Sequence, residues 1–243
     1  MNRSNPALRE SIFRNALTGA AAGQMTIPGT IMKAILLIGL MMFSAAWVWT
    51  ATLTNPALVG TAVLVGALGG LVVALVAMFR PQTSPFTAPL YAVLEGLALG
   101  AISAMYAARY RGLPMEAVGL TVMVALGMLL AYRTGLLRAT PVFRRVVISA
   151  TIGIALFYGL TLILGMFGVR MPLLWDNGPA GLVLGLIFAG VAALNLILDF
   201  DLIERGARAG APKYMEWYGA FALLLTLVWL YLEILRLLGN RRQ

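Results

Sequence analysis

Residues Ala193 to Arg205 read ALNLILDFDLIER, and Gly206 follows. The stretch closes an apolar run that begins near Gly178, and it sets Asp199 where the sequence is still almost wholly hydrocarbon. A charged side chain at membrane depth costs about 2.5 to 3.5 kcal/mol on insertion scales, so its presence needs a physical reason. Residues three and four apart share a helix face. Asp201 has Arg205 at that spacing and Glu204 has Arg208, each acid ahead of its base. Asp199 meets only Asn195, Leu196, Leu202 and Ile203. Its own helix leaves it uncompensated, so it must protonate, pair with another helix or face water.

The rest of the chain supplies the membrane. Of 243 residues, 61% are hydrophobic and only 11% charged, and the mean hydropathy is +0.90, far from a soluble composition. The N-terminal MNRSNPALRESIFRNALTGAAAG has no short apolar core before a small-residue cleavage site, so the first spanning helix is expected to serve as the insertion signal. Cysteine and histidine are both absent, which excludes disulfides, thiol chemistry, histidine metal ligands and serine–histidine dyads. A response to pH near neutral would then fall to a carboxylate. The net charge of +9 comes from arginines at the ends of apolar runs, without aromatic interleaving, and this reads as bilayer orientation and not as nucleic-acid binding.

No charge occurs from Ala34 to Phe79, about twice the ~20 residues of one crossing, and Asn55 and Pro56 split that run into a hairpin. The expected spans are 34–53, 57–79, 85–108, 116–137, 146–169, 179–203 and 217–238. The fold class is therefore all-α: a polytopic membrane protein with a bundle of seven transmembrane helices. The expected division is a cytoplasmic arm over 1–30, a membrane domain over 31–239 and a tail over 240–243.

With the N-terminus inside, one side holds Arg3, Arg9, Arg14, Lys33, Arg80, Arg133, Arg138, Arg144, Arg145, Arg205, Arg208 and Lys213. The other holds Arg109, Arg111, Arg170, Arg236, Arg241 and Arg242. The asymmetry favours a cytoplasmic N-terminus. A last helix that fails to cross would fit the charge rule still better, although 217–238 is long enough to span. Glycine pairs four apart, Gly66 and Gly70, Gly96 and Gly100, Gly181 and Gly185, are expected where helices approach closely.

Glu95 is a second acid at mid-depth with no cation three or four positions away. Were Glu95 and Asp199 to face one cavity, they would share a proton near neutral pH, and with Asn195 and backbone carbonyls they would suit a hard cation such as calcium. The plainer alternative is a protonated acid bonded across helices, or Asp199 paired with Arg133, Arg144 or Arg145. Asp201, with Arg205, is expected at the interface rim. Glu233 has Arg236 three residues on, which favours a local ion pair over a part in conduction. Glu10, Glu116, Asp176 and Glu216 read as loop or boundary acids without a function.

The segment LNLILDFDLIERG, the ending LYLEILRLLGN, and the segments MTIPGTIMKA, PLYAVLEGLALGAIS and APKYMEWYGAF together resemble the bacterial Bax inhibitor and YccA-like branch of the transmembrane Bax inhibitor motif proteins. The resemblance covers about Met25 to Gly239. It implies seven helices with the last near the centre, and a calcium leak controlled by an aspartate pair. Asp199 matches the first aspartate. The second, in the last helix, matches Glu233 within Leu230–Tyr231–Leu232–Glu233, or Thr226 if the terminal leucine, arginine and glycine are aligned instead.

The function expected from this is a pH-sensitive calcium leak of the bacterial cytoplasmic membrane, with Asp199, Glu95, Asn195 and Glu233 as pathway or sensing residues. Calcium would be transient cargo, with no resident cofactor and no metal site. The alternative is a non-conducting regulator that binds and modulates a membrane AAA protease or another membrane protein, with the N-terminal arm as its recognition element. No Gly-x-Ser-x-Gly, His-Glu-x-x-His, phosphate-binding loop or Gly-x-Gly-Asp pattern points to an enzyme. An aspartyl dyad of Asp199 and Glu95 is the one remote enzymatic arrangement.

Overall fold

A computed structural model describes residues 23–168 and 178–242. Most of the expected N-terminal arm, with Glu10, lies outside these residues, as do Arg170 and Asp176. The described chain forms seven helices long and apolar enough to cross a membrane. They are α1 (Ile27–Thr54), α2 (Leu58–Phe79), α3 (Ser84–Arg109), α4 (Leu113–Arg133), α5 (Pro141–Met166), α6 (Pro179–Arg208) and α7 (Met215–Arg241).

Helix ends follow local chemistry. α1 begins at Ile27, seven residues ahead of the expected Ala34, because the Thr26 hydroxyl accepts from the Gly29 amide at 3.1 Å and Pro28 sits in the first turn. α5 likewise begins at Pro141, where the Thr140 hydroxyl accepts from the Phe143 amide at 3.2 Å. The α1–α2 hairpin turns at Asn55, whose side chain accepts from the Ala57 amide at 3.2 Å. α6 runs to Arg208, five residues past the apolar pattern, because its charged last turns carry the Asp201–Arg205 and Glu204–Arg208 pairs.

α7 is the axis of the bundle. It packs against α1, α3, α4 and α6 and buries Phe221, Leu224, Leu230 and Leu235 almost completely. Its N-terminal turn is tied to α1 through Lys33 and Glu216, while Arg242 just past its end holds Glu116 of α4 at 2.7 Å. α7 therefore runs from the end of the bundle where α1 begins to the end where α4 begins, which excludes a last helix that stays on one side.

Five of the six paired glycines, Gly66, Gly70, Gly96, Gly100 and Gly185, sit at close helix contacts. A methyl group on Gly66 would lie 2.6 Å from the Ala98 amide nitrogen and the Leu94 carbonyl oxygen of α3, and one on Gly100 would lie 2.8 Å from Cα of Ala45 in α1. Gly185 receives Leu237 of α7 in the same way, 2.6 Å from such a methyl. α5 stands at the periphery, packed on α6, with Val147 and Ile154 as its buried residues. Large apolar side chains are exposed around the bundle, as a lipid solvent requires.

Candidate functional site

The antiparallel pairing of α6 and α7 sets Asp199 opposite Thr226. Asp199 lies nine residues before the end of α6 and Thr226 eleven after the start of α7, about 14 and 16 Å from the same end of the bundle. The Thr226 hydroxyl is the polar side chain that faces the carboxylate. Thr226 is 5% exposed, and Oδ2 of Asp199 is buried without a hydrogen-bond partner among the described residues. An orphaned carboxylate oxygen is costly in such a setting; among the described residues the Ser84 hydroxyl is the other buried side-chain group without a partner.

None of the candidate cations reaches it. Arg144 and Arg205 both bind Oδ2 of Asp201 at 2.8 Å, and Arg133 and Arg145 are exposed at the helix rim. Asp201 thus has its expected local partner and a second one from α5. Its neighbour Glu204 holds Arg208 and accepts from the Tyr132 hydroxyl of α4. Two residues along α6, 199 and 201, therefore lie in opposite surroundings: among the described residues one carboxylate has no cation and the other has two.

Glu95 lies at a comparable depth, about 17 Å from the start of α3, but faces a different seam. A methyl group on Gly70 of α2 would lie 2.6 Å from its Oε2, so the carboxylate occupies the notch that this glycine leaves. α3 and α6 are not a packed pair, so the condition for a cavity shared by Glu95 and Asp199 is not met. The reason is the position of α7 between them, which gives each acid separate neighbours. Asn195 also turns elsewhere: its amide donates to the Thr151 hydroxyl of α5 at 2.8 Å and to the Val191 carbonyl at 2.9 Å.

Glu233 lies seven residues beyond Thr226, two helical turns farther along α7 and on nearly the same face. It is 3% exposed and closed in by partners: Arg236 at 2.6 Å, the Trp229 indole N–H at 3.1 Å and the Tyr158 hydroxyl of α5. Arg236 also donates to Tyr158 at 2.9 Å and lies over the rings of Tyr158 and Phe188. Of the two ways of matching the last helix, this register sets Thr226, and not Glu233, across from Asp199.

A further polar centre was not legible as such in the sequence. Glu216, expected as a boundary acid, is fully buried at the start of α7 and gathers Lys33 from α1, Lys213 at 2.9 Å, and both the amide and the hydroxyl of Thr26 at 2.9 and 2.8 Å. Gly29 is its floor, since a methyl group there would overlap the carboxyl. Backbone bonds from Met25 to Ala211 (2.7 Å) and from Lys213 to Gly23 (2.9 Å) fasten the same two segments. The available signal was Lys33, a lone cation opening an apolar run with no acid on its own helix.

The segments forming these centres are the ones that carried the family resemblance: MTIPGTIMKA and APKYMEWYGAF build the Glu216 centre, and LNLILDFDLIERG carries Asp199. No curated protein and no solved structure matches the chain. A family model described as Bax inhibitor 1 like matches residues 5–243, nearly the whole chain, and so the protein belongs to the Bax inhibitor 1-like family of membrane proteins.

Proposed function

We propose that this protein is a pH-sensitive cation leak, with calcium as its preferred ion, in which protonation of Asp199 controls the α6–α7 seam. The observation that carries the reading is the Asp199 carboxylate itself, buried in the seam with an oxygen that has no partner and no cation beside it among the described residues. A neutral acid is compatible with a dry, closed seam. An ionised one requires water or a cation, so a hydrated, open seam and the ionised acid favour each other. Raising the pH therefore opens the path, and lowering it closes the path.

In this reading calcium is cargo that passes one carboxylate and not a resident ion. Thr226 supplies the second oxygen ligand where the family resemblance implies an aspartate. Glu95, Asn195 and Glu233 act as supports of neighbouring seams in this reading, since each faces a different partner set. The arginine asymmetry supports a cytoplasmic N-terminus, and the bacterial cytoplasmic membrane setting rests on the family resemblance.

The test is calcium entry into dye-loaded vesicles containing the purified protein, measured across a pH series for the wild type and Asp199→Asn. Entry that rises with pH in the wild type and is flat in the variant is expected. Equal entry in wild type, variant and protein-free vesicles removes the conducting role and leaves a non-conducting regulator.

A further inference from the structure

One rim of the bundle collects guanidinium groups well beyond what its acids neutralise. Six arginines converge there: Arg133 at the end of α4, Arg138 in the connection, Arg144 and Arg145 at the start of α5, Arg205 and Arg208 at the end of α6. The contacts that gather them are Arg144 to Asp201 across α5 and α6, and Tyr132 to Glu204 across α4 and α6. Asp201 and Glu204 occupy Arg144, Arg205 and Arg208. Arg133, Arg138 and Arg145 are exposed and meet no carboxylate among the described residues.

Exposed aliphatic side chains are interleaved with these three arginines, alongside the exposed Thr134 and Thr140. Leu136, 80% exposed, stands between Arg133 and Arg138, and Val142 and Val146, 68% and 62% exposed, flank Arg144 and Arg145. Charge alone would suit any anion. Guanidinium groups interleaved with exposed aliphatic side chains suit an anion that carries hydrocarbon, its phosphate on the fork-shaped donors and its chains along the apolar edge.

We propose that this α4–α5–α6 rim is a binding site for an anionic phospholipid headgroup, with Arg133, Arg138 and Arg145 as the phosphate donors and Leu136 as the chain contact. Arg144 and Arg205 are held on Asp201, and so position the rim without taking part. The site is separate from the conduction reading and does not depend on it.

The full-length protein in neutral detergent is titrated with phosphatidylglycerol, phosphatidylcholine or inorganic phosphate, and bound lipid is read by native mass spectrometry. The wild type is expected to retain phosphatidylglycerol in preference to phosphatidylcholine, and inorganic phosphate is expected to compete poorly. The Arg133→Gln/Arg138→Gln/Arg145→Gln variant is expected to lose about five-fold in that preference for each arginine removed, with unchanged helical circular dichroism. An Arg109→Gln/Arg111→Gln variant, altered at the opposite rim, is expected to keep it. The proposal is overturned by equal retention of the two lipids by the wild type, by a triple variant that keeps the preference, by loss in the opposite-rim variant, or by phosphate that displaces the lipid at matched concentration.

Discussion

Asp199 faces the hydroxyl of Thr226 across the seam between α6 and α7, at matched depth, with its other polar neighbours on α6 turned toward α5 or the rim. A hydroxyl can solvate an ionised carboxylate but cannot neutralise it. Removing that hydroxyl with Thr226→Val keeps the volume and withdraws one donor, at about 1 kcal/mol if the ionised acid relies on it. Calcium entry at high pH is expected to fall about five-fold in this variant and to change little at low pH. Asp199→Asn is expected to lower entry at least about ten-fold at high pH and to abolish its pH dependence. Dye-loaded vesicles measured over the same pH series check both.

The Glu216 centre makes a prediction about stability and not about flux. Its carboxylate is fully buried with two ammonium groups and Thr26, and deleting it leaves Lys33, 19% exposed at its side chain, without a counter-charge. Glu216→Ala is expected to cost about 3 kcal/mol, read as a clear drop in the unfolding temperature in detergent. Lys213, 49% exposed, is the weaker partner, and Lys213→Met is expected to cost no more than about 1 kcal/mol. Equal losses in the two variants would count against the assigned ranking.

How far the sequence could go is visible in these two centres. The seven spans were legible because hydrocarbon runs of the right length leave few alternatives, and their glycine pairs were legible because four-residue spacing puts them on one face. The Asp201–Arg205, Glu204–Arg208 and Glu233–Arg236 pairs were legible for the same reason, being local to one helix. What could not be read was which helices share a seam. Glu95 and Asp199 have similar depth and similar isolation in sequence, but α7 separates their helices. Glu216 and Lys33 lie 183 positions apart, and only the parallel placement of α1 and α7 joins them.

The Glu233 cluster allows a cycle. Arg236→Met leaves a carboxylate 3% exposed with only Tyr158 and Trp229 as donors, and is expected to destabilise by about 3 to 5 kcal/mol. Glu233→Leu with Arg236→Met removes both charges, and is expected to recover most of that loss because neither is then buried alone. Unfolding in detergent measures all members of the cycle. A double variant no better than Arg236→Met would show that the arginine acts mainly through its contacts with Tyr158 and Phe188.

The glycine contacts separate packing from composition. A methyl group on Gly100 meets the backbone of Ala45, which cannot yield without moving α1, whereas one on Gly153 of α5 meets nothing within 4 Å. Gly100→Ala is expected to cost about 1 to 3 kcal/mol through forced separation of α1 and α3. Gly153→Ala gains helix propensity in open space and is expected to be neutral or to stabilise by up to about 1 kcal/mol. Because α1 carries Lys33 and is capped by Thr26, a displaced α1 also strains the Glu216 centre, so Gly100→Ala combined with Glu216→Ala should cost less than the sum of the two alone. Strict additivity in unfolding measurements would mean that the two ends of α1 move independently.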